Sequence, residues 1–454
     1  MMSTKALFIL MLAIAIYGTA VYYHTQVAVY PAFKPNNKTL RSGIGPTSGP
    51  RTSQDERQLS KEASLQNIVQ RTQPDLKDNN TKEAEMSSKT CHPRRQFVFI
   101  KTHKTGSCTA VNIFQRYALR HSLSVLIPTG GNLLGWPFPP AEQDYVHTPD
   151  EQYDVLLNHV VYNKPWLRSK FPANTAYISI IREPSSQLRS AFNYYSLPKL
   201  LKIESQNPVQ TFLQDPWKYK HLSEAYFDFC NVTWDGTRNF MSFDLGYPTE
   251  GAEDKERAHR YISELEADFR LVLLLEHLDE SIVLLRRLMC WEVRDVLYDI
   301  VSKNNRSYPY KSYIPTAQEL TNLRRWKAVD YLLYDTFNAS LWRKITAQGP
   351  DFYEELRYFR EVKKRVGTFC RTCKQRRRCD PPSLTIEASK WSRQFAVDSK
   401  YCSRIQSQEL LLGKYIRERA SKEDRKEWTI MRVADNVLRI VQGLPTVKYK
   451  AQAE

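Results

Sequence analysis

The residues with the most chemistry per position run from Lys101 to Thr109: Lys101-Thr102-His103-Lys104-Thr105-Gly106-Ser107-Cys108-Thr109. Two lysines flank a histidine, and a glycine follows among small and hydroxylated side chains. Such a run suits an anion. Thr105, Gly106, Ser107 and Thr109 let backbone N–H groups approach it, while Lys101 and Lys104 supply charge. The spacing is not that of a nucleoside-triphosphate loop, in which glycine leads directly into lysine and then serine or threonine; here the lysine precedes Gly106 and Ser107 follows it. ATP or GTP hydrolysis loses ground accordingly. The bland alternative is a strand followed by an ordinary Ser/Thr-rich helix cap.

Position depends on the flanking elements. Phe97 to Ile100 is an apolar run with strand character, and Val111, Phe114, Ala118 and Leu119 recur at helical spacings, so the order is strand, loop, helix, with the loop at a helix N-terminus. Leu123 to Pro149 is rich in Gly and Pro and reads as a long loop carrying Trp136, either a substrate wall or a loop anchor. A short strand over Tyr153 to Leu157 ends in Asn158-His159, at the edge where open α/β sheets place their ligand crevice. Thr175 to Ile181 is the next strand; Arg182 ends it, and Ser190 lies in a helix expected from Ser186 to Tyr195. Arg270 to His277 reads as another buried strand, and Asp279-Glu280-Ser281 opens a helix through Leu288. Strands interleaved with helices predict an α/β fold with a doubly wound parallel sheet, mainly helical beyond Trp291.

The order lysine, threonine, glycine, serine, small residue, threonine after a strand resembles the 5′-phosphosulfate loop of sulfotransferases that use 3′-phosphoadenosine 5′-phosphosulfate (PAPS). The string Lys101 to Thr105 is similar to the galactose-3-O-sulfotransferase family in particular. Arg182 with Ser190 eight positions later resembles the site at which such enzymes hold the ribose 3′-phosphate. Asn158-His159, Phe243 to Tyr247, Cys290-Trp291-Glu292, Asp295 to Tyr298 and Phe337 to Lys344 extend the resemblance, which covers Arg94 to Gly349. It implies a P-loop-like sulfotransferase fold with helical C-terminal additions. It also implies PAPS as donor, no metal, and donor contacts from Lys101, Thr102, Lys104, Thr105, Gly106, Ser107, Cys108, Thr109, Arg182 and Ser190. The implied acceptor is a terminal galactose 3-hydroxyl on a galactosylceramide-like glycolipid or a glycoprotein glycan. Two departures stand out: Cys108 occupies a place where serine is usual, and the basic segment from Cys370 to Cys379 has no counterpart.

Sulfuryl transfer leaves negative charge on the bridging oxygen, and Lys104 is the cation expected there. The acceptor hydroxyl needs a base. His103 is the first candidate because its neighbours bracket the reacting bond, and His159 is the second, as base or as an orienter of the sugar.

The whole chain has 454 residues, 42% of them hydrophobic, enough for a substantial core. Ala6 to Tyr23 is an apolar run that as a helix spans ~27 Å, near a bilayer's hydrocarbon thickness. Lys5 precedes it, which predicts a type II anchor with the remainder lumenal, and the resemblance implies the Golgi membrane; a cleaved signal peptide at Gly18-Thr19-Ala20 is the competing reading. The expected organisation is a cytosolic tail (1–5), an anchor (6–23), a stem (24–93), a sulfotransferase domain (94–369) and a cysteine-containing basic extension (370–454). Sequons at Asn37, Asn79, Asn231, Asn305 and Asn338 agree with a lumenal setting. The eight cysteines argue for disulfides rather than zinc there, without fixing their pairing. A net charge of +17 suits an anionic donor, and the membrane context argues against nucleic acid. The expected partners are the membrane and the galactose-bearing acceptor, and a homodimer is compatible with the sequence. The contrasting function class is a catalytically silent, membrane-anchored glycan-binding protein that retains the fold.

Overall fold

The computed structural model describes residues 91–148, 151–227, 235–299 and 307–420. The expected anchor (6–23), the expected stem up to residue 90, and the sequons at Asn37, Asn79, Asn231 and Asn305 lie outside these residues. Among the described residues no helix is long and apolar enough to cross a membrane.

The fold is mixed α/β around one parallel sheet of five strands: β1 (Phe97–Ile100), β2 (Val125–Leu126), β3 (Val155–Leu156), β4 (Ala176–Ile181) and β5 (Phe269–Leu274), in the order β2-β3-β1-β4-β5. β1 sits in the middle because all of its side chains are apolar and fully buried, which only a strand covered on both faces can satisfy. It pairs in register with β3 (Phe97 opposite Val155) and with β4 (Ile100 opposite Ser179). The chain leaves β1 toward β2 on one side and later leaves β4 toward β5 on the other. Their C-terminal ends therefore open on one shared crevice.

Helix α1 (Ser107–Arg120) follows β1 directly. Val111, Phe114 and Ala118 of its expected apolar stripe are buried and Leu119 is half-buried, but Asn112, Gln115 and Arg116 on the polar side are buried as well. α2 (Lys164–Lys170) precedes β4, and α3 (Pro184–Tyr194) follows it, starting two residues earlier than the sequence suggests because Glu183 caps the amides of Ser185 and Ser186. Short α4 (Phe240–Asp244) and longer α5 (Lys255–Asp268) lead into β5, and α6 (Leu278–Met289) follows it. α7 (Val293–Val296), α8 (Ala317–Trp326), α9 (Ala328–Thr346) and α10 (Asp351–Arg376) follow in turn.

Two differences from the sequence reading have simple causes. β2 lies inside the stretch taken as loop, because a two-residue edge strand is too short to show alternation. The segment beyond Cys370 packs on the main core: α10 runs through the expected boundary at Cys370, followed by the hairpin β6 (Ser383–Ile386) and β7 (Phe395–Asp398), α11 (Ser399–Gln406) and α12 (residues 409–420). Ile386, Val397, Cys402, Ile405 and Ile416 join the same apolar cluster as β1.

Disulfides join Cys91 to Cys290, Cys370 to Cys402 and Cys373 to Cys379, and Cys108 is unbridged. Beside the first of them, Trp291 stacks on Tyr117 of α1 at 3.8 Å and donates to the Arg94 carbonyl. Arg116 donates to the Leu297 carbonyl and Arg120 pairs with Asp295. The strings around Cys290-Trp291-Glu292 and Asp295 to Tyr298 thus clamp the helix that carries the loop. Asn338 lies within α9, its side-chain oxygen accepting from Trp342 at 3.1 Å, and Ser340 of that sequon is buried.

Candidate active site

The loop between β1 and α1 is built by its own hydroxyls. Thr102 Oγ1 meets Thr105 Oγ1 at 2.8 Å and donates to the Ile180 carbonyl of β4, while Ser107 Oγ and Thr105 Oγ1 donate back to the Thr102 carbonyl at 2.9 and 3.2 Å. These buried bonds shape the loop. Gly106 starts α1 with φ of +75°, no side chain caps the helix, and its first turn holds no acid. A helix N-terminus left in that state favours an anion. A Cβ at Gly106 would lie 2.6 Å from Leu275 Cδ1. Gly106→Ala is therefore expected to cost about 1–3 kcal/mol through backbone strain and to weaken anion binding at the loop, as read by thermal melts with and without ligand.

Lys104 takes positive φ (63°), which turns its side chain out of the loop, and its ammonium sits 3.6 Å above the centre of the Tyr194 ring of α3. Lys101 points elsewhere. It is buried, with Nζ 2.6 Å from both carboxylate oxygens of Glu409 on α12.

His103 is the most constrained side chain of the group. Its Nδ1 lies 2.9 and 3.0 Å from the two oxygens of Asp244, whose Oδ2 also accepts from the His103 amide at 2.6 Å and whose Oδ1 accepts from Trp136 Nε1 at 2.9 Å. The ring is sandwiched between His159, stacked at 3.9 Å, and Phe240, stacked at 4.9 Å, with Trp136 at 4.4 Å. Trp136 thus anchors its loop and walls the crevice at once. With Nδ1–H held by a carboxylate, Nε2 carries the lone pair.

His159, brought to the same place by β3, donates Nδ1–H to the Lys101 carbonyl at 2.8 Å. Burial, then the nearby His103 and Lys101, push its pKa well below the ordinary 6.5. The folded state thus binds this proton less readily than the unfolded chain, so stability is intact above the unfolded value and is lost as pH falls through about 6.5. Melting temperature should drop between about pH 7.5 and 5.5, and drop less in His159→Gln.

A buried polar chain supports the site from behind. Gln187 of α3 donates to the His103 carbonyl at 3.2 Å, Lys327 Nζ donates to Gln187 at 3.0 Å, and Lys327 pairs with Asp330 at 2.9 Å. Asp330 in turn accepts from the amide and hydroxyl of Ser242, on the short helix that carries Asp244.

Across the crevice, at the end of β4, Arg182 reaches the Lys104 carbonyl at 3.4 Å, and its buried Nε has no partner among the described residues. Burial pushes its guanidinium below the usual arginine range, with Arg189 adding to this and Glu276 and Tyr308 opposing it. Arg189, fixed by Ser185 and Ser186 at 2.8 Å each, adds a second guanidinium that the sequence reading did not single out. Ser190 is half-buried on α3.

The residues assembled here coincide with a known sequence pattern: the family description "Galactose-3-O-sulfotransferase" matches residues 1–378. This chain belongs to the galactose-3-O-sulfotransferase family. Relatives include human galactosylceramide sulfotransferase, 33% identical over 304 residues, which is 65% of this chain and 69% of that protein. Mouse galactose-3-O-sulfotransferase 2 is 33% identical over 291 residues, 61% of this chain and 70% of its own length, and the human form is 36% identical over 269 residues, 57% and 63%. The matches thus span about two thirds of these relatives. Family membership makes the chain a sulfotransferase. Residues beyond 378, Glu409 included, lie outside the matched region.

The sequence singled out His103, Lys104, His159 and Arg182, and the structure brings them to one crevice. Asp244 escaped assignment: it lies 141 positions from His103. The string Phe243 to Tyr247 marked its neighbourhood as family-like without a role.

Proposed function

We propose that this chain transfers a sulfuryl group from PAPS to the 3-hydroxyl of a terminal galactose on a glycolipid or glycoprotein glycan. The observation that carries the reading is the Asp244–His103 pair set beside Lys104 on an uncapped helix N-terminus. The donor's fit is supported by two features: the unpartnered buried Nε of Arg182, which suits a phosphate, and the α1 start free of acids. Backbone amides of Lys104 to Thr109 with Lys104 would hold the 5′ end, and Arg182 with Ser190 the 3′-phosphate. Bound there, the donor supplies an activated sulfuryl group whose departure leaves charge on a phosphate oxygen.

The chain's own residues divide the remaining work. Lys104 meets the developing charge. His103 accepts the acceptor hydroxyl proton at Nε2, because Asp244 stabilises the imidazolium that results. His159 lacks such a partner: its Nδ1 has only a carbonyl, and Lys101 and His103 oppose its charging. It is assigned to orienting the acceptor as a neutral ring. Trp136 and Phe240 offer apolar faces to a sugar ring.

The apolar run from Ala6 to Tyr23 and the sequons at Asn37, Asn79, Asn231 and Asn305 support a single-pass type II protein of the Golgi membrane with a lumenal catalytic domain. The relatives' names support a galactose acceptor, glycolipid or glycan.

A melting-temperature titration with adenosine 3′,5′-bisphosphate and with ATP tests the donor reading. At about a hundred times its dissociation constant a ligand stabilises by ~2.7 kcal/mol. The bisphosphate is expected to raise the melting temperature and Arg182→Ala to abolish the rise. A larger shift with ATP would favour a kinase, and no shift with either would favour a glycan-binding protein.

A further inference from the structure

Lys101 and Glu409 form a buried ion pair that ties the donor loop to a segment beyond the family-matched region. Lys101 has 1% of its side chain exposed and Glu409 8%, and both carboxylate oxygens lie 2.6 Å from the ammonium. The segment is firmly docked. Asn112 of α1 donates to the carbonyls of Arg404 and Ser407 at 3.1 Å each, and Gln115 donates to the Glu409 carbonyl at 3.2 Å. Arg417 donates to the Gly131 carbonyl at 3.1 Å, and the Cys370–Cys402 disulfide fixes α11 to α10. The Cys108 thiol, in the first turn of α1, is raised in pKa by burial, and the charge of Glu409 adds to this while that of Lys101 opposes it. Three features that looked unrelated in sequence thereby meet: a loop lysine, a cysteine where serine is usual, and an acid 308 positions after the lysine.

We infer that Glu409 is a positioning residue for the donor loop, binding Lys101 so that Lys104 alone of the loop lysines faces the transferring group. The inference rests on the sulfotransferase reading above. Lys101 also bears the carbonyl that orients His159, so a shift of this side chain disturbs the acceptor side too. An acidic partner is required because a buried ammonium without one is strongly disfavoured, whereas replacing both partners by apolar groups restores burial without restoring position.

The test compares Glu409→Gln, Glu409→Asp and the double variant Lys101→Met/Glu409→Leu in the full chain, reading melting temperature, bisphosphate binding and steady-state kinetics with PAPS and a galactose-bearing acceptor. Glu409→Gln should lower the melting temperature and reduce kcat/KM for the donor at least about tenfold, with Glu409→Asp recovering part of the loss. In the double variant the melting temperature should return while the donor kcat/KM stays about tenfold low or lower. A double variant with the unaltered protein's donor kcat/KM would overturn the inference and leave the pair a purely stabilising one. Failure of the unaltered protein to bind the bisphosphate would overturn the donor reading itself, and the positioning role with it.

Discussion

Lys104→Ala should lose turnover by about 10²–10³ while the protein folds normally, since a preorganised donor at a developing oxyanion contributes ~3–4 kcal/mol to the transition state. The half-buried Lys104 side chain extends from the loop and contacts the Tyr194 ring at 3.6 Å, so its removal opens no core cavity. The loss should fall mainly on kcat, with bisphosphate affinity reduced far less, because the charge it meets appears only as the bond breaks. Equal losses in kcat and in bisphosphate affinity would instead mean that Lys104 serves binding. Tyr194→Leu should act in the same direction but weakly, about 1 kcal/mol or less, as expected for a half-exposed cation–π contact.

Asp244→Asn should be the other severe variant, with kcat reduced about 10²–10⁴-fold, the range a general base supplies. The amide keeps the size of the carboxylate but replaces one acceptor with a donor. Asp244 accepts from the His103 amide at 2.6 Å, from Trp136 Nε1 at 2.9 Å and from His103 Nδ1 at 2.9 Å. An Asn cannot serve all three as acceptor, so either the imidazole takes the wrong tautomer or the Trp136 loop loosens. It also fails to stabilise the imidazolium. Comparison with Trp136→Phe separates the two effects: that variant removes the indole bond while leaving the His103 pair, and should lower kcat by no more than about tenfold.

Lys327→Met should destabilise by about 3–5 kcal/mol, because it leaves Asp330 as an unpaired buried carboxylate beneath the site. Chemical denaturation checks this, and a change below about 1 kcal/mol would mean that the Ser242 bonds alone satisfy Asp330.

The central part of the fold was legible because its signals are local. Phe97 to Ile100 and the stripe of α1 follow from hydrophobic periodicity, and a helix-opening loop rich in small residues marks an anion site without reference to distant chain. His103 and Lys104 stand out in the sequence for the same reason. What escaped depends on contacts between remote segments. Asp244 and Glu409 are ordinary acids in sequence and gain their meaning only because α4 and α12 bring them to the loop. Lys101 shows the cost of purely local reading: a lysine at the mouth of an anion loop looks like a ligand for the anion, yet its charge is taken up by Glu409. The polar face of α1 misleads in the same way, since Asn112, Gln115 and Arg116 suggest solvent exposure and are instead buried, Asn112 and Gln115 under the C-terminal segment.

The most direct test of the account is transfer of labelled sulfate from PAPS to a galactose-terminated acceptor by the full chain, with His103→Ala and Lys104→Ala run in parallel and the product's linkage determined. The expected result is label on the galactose 3-hydroxyl with the unaltered protein and a loss of about 10² or more in each variant. Transfer that persists in both variants, or no transfer by the unaltered protein to any galactose-bearing acceptor, would contradict it.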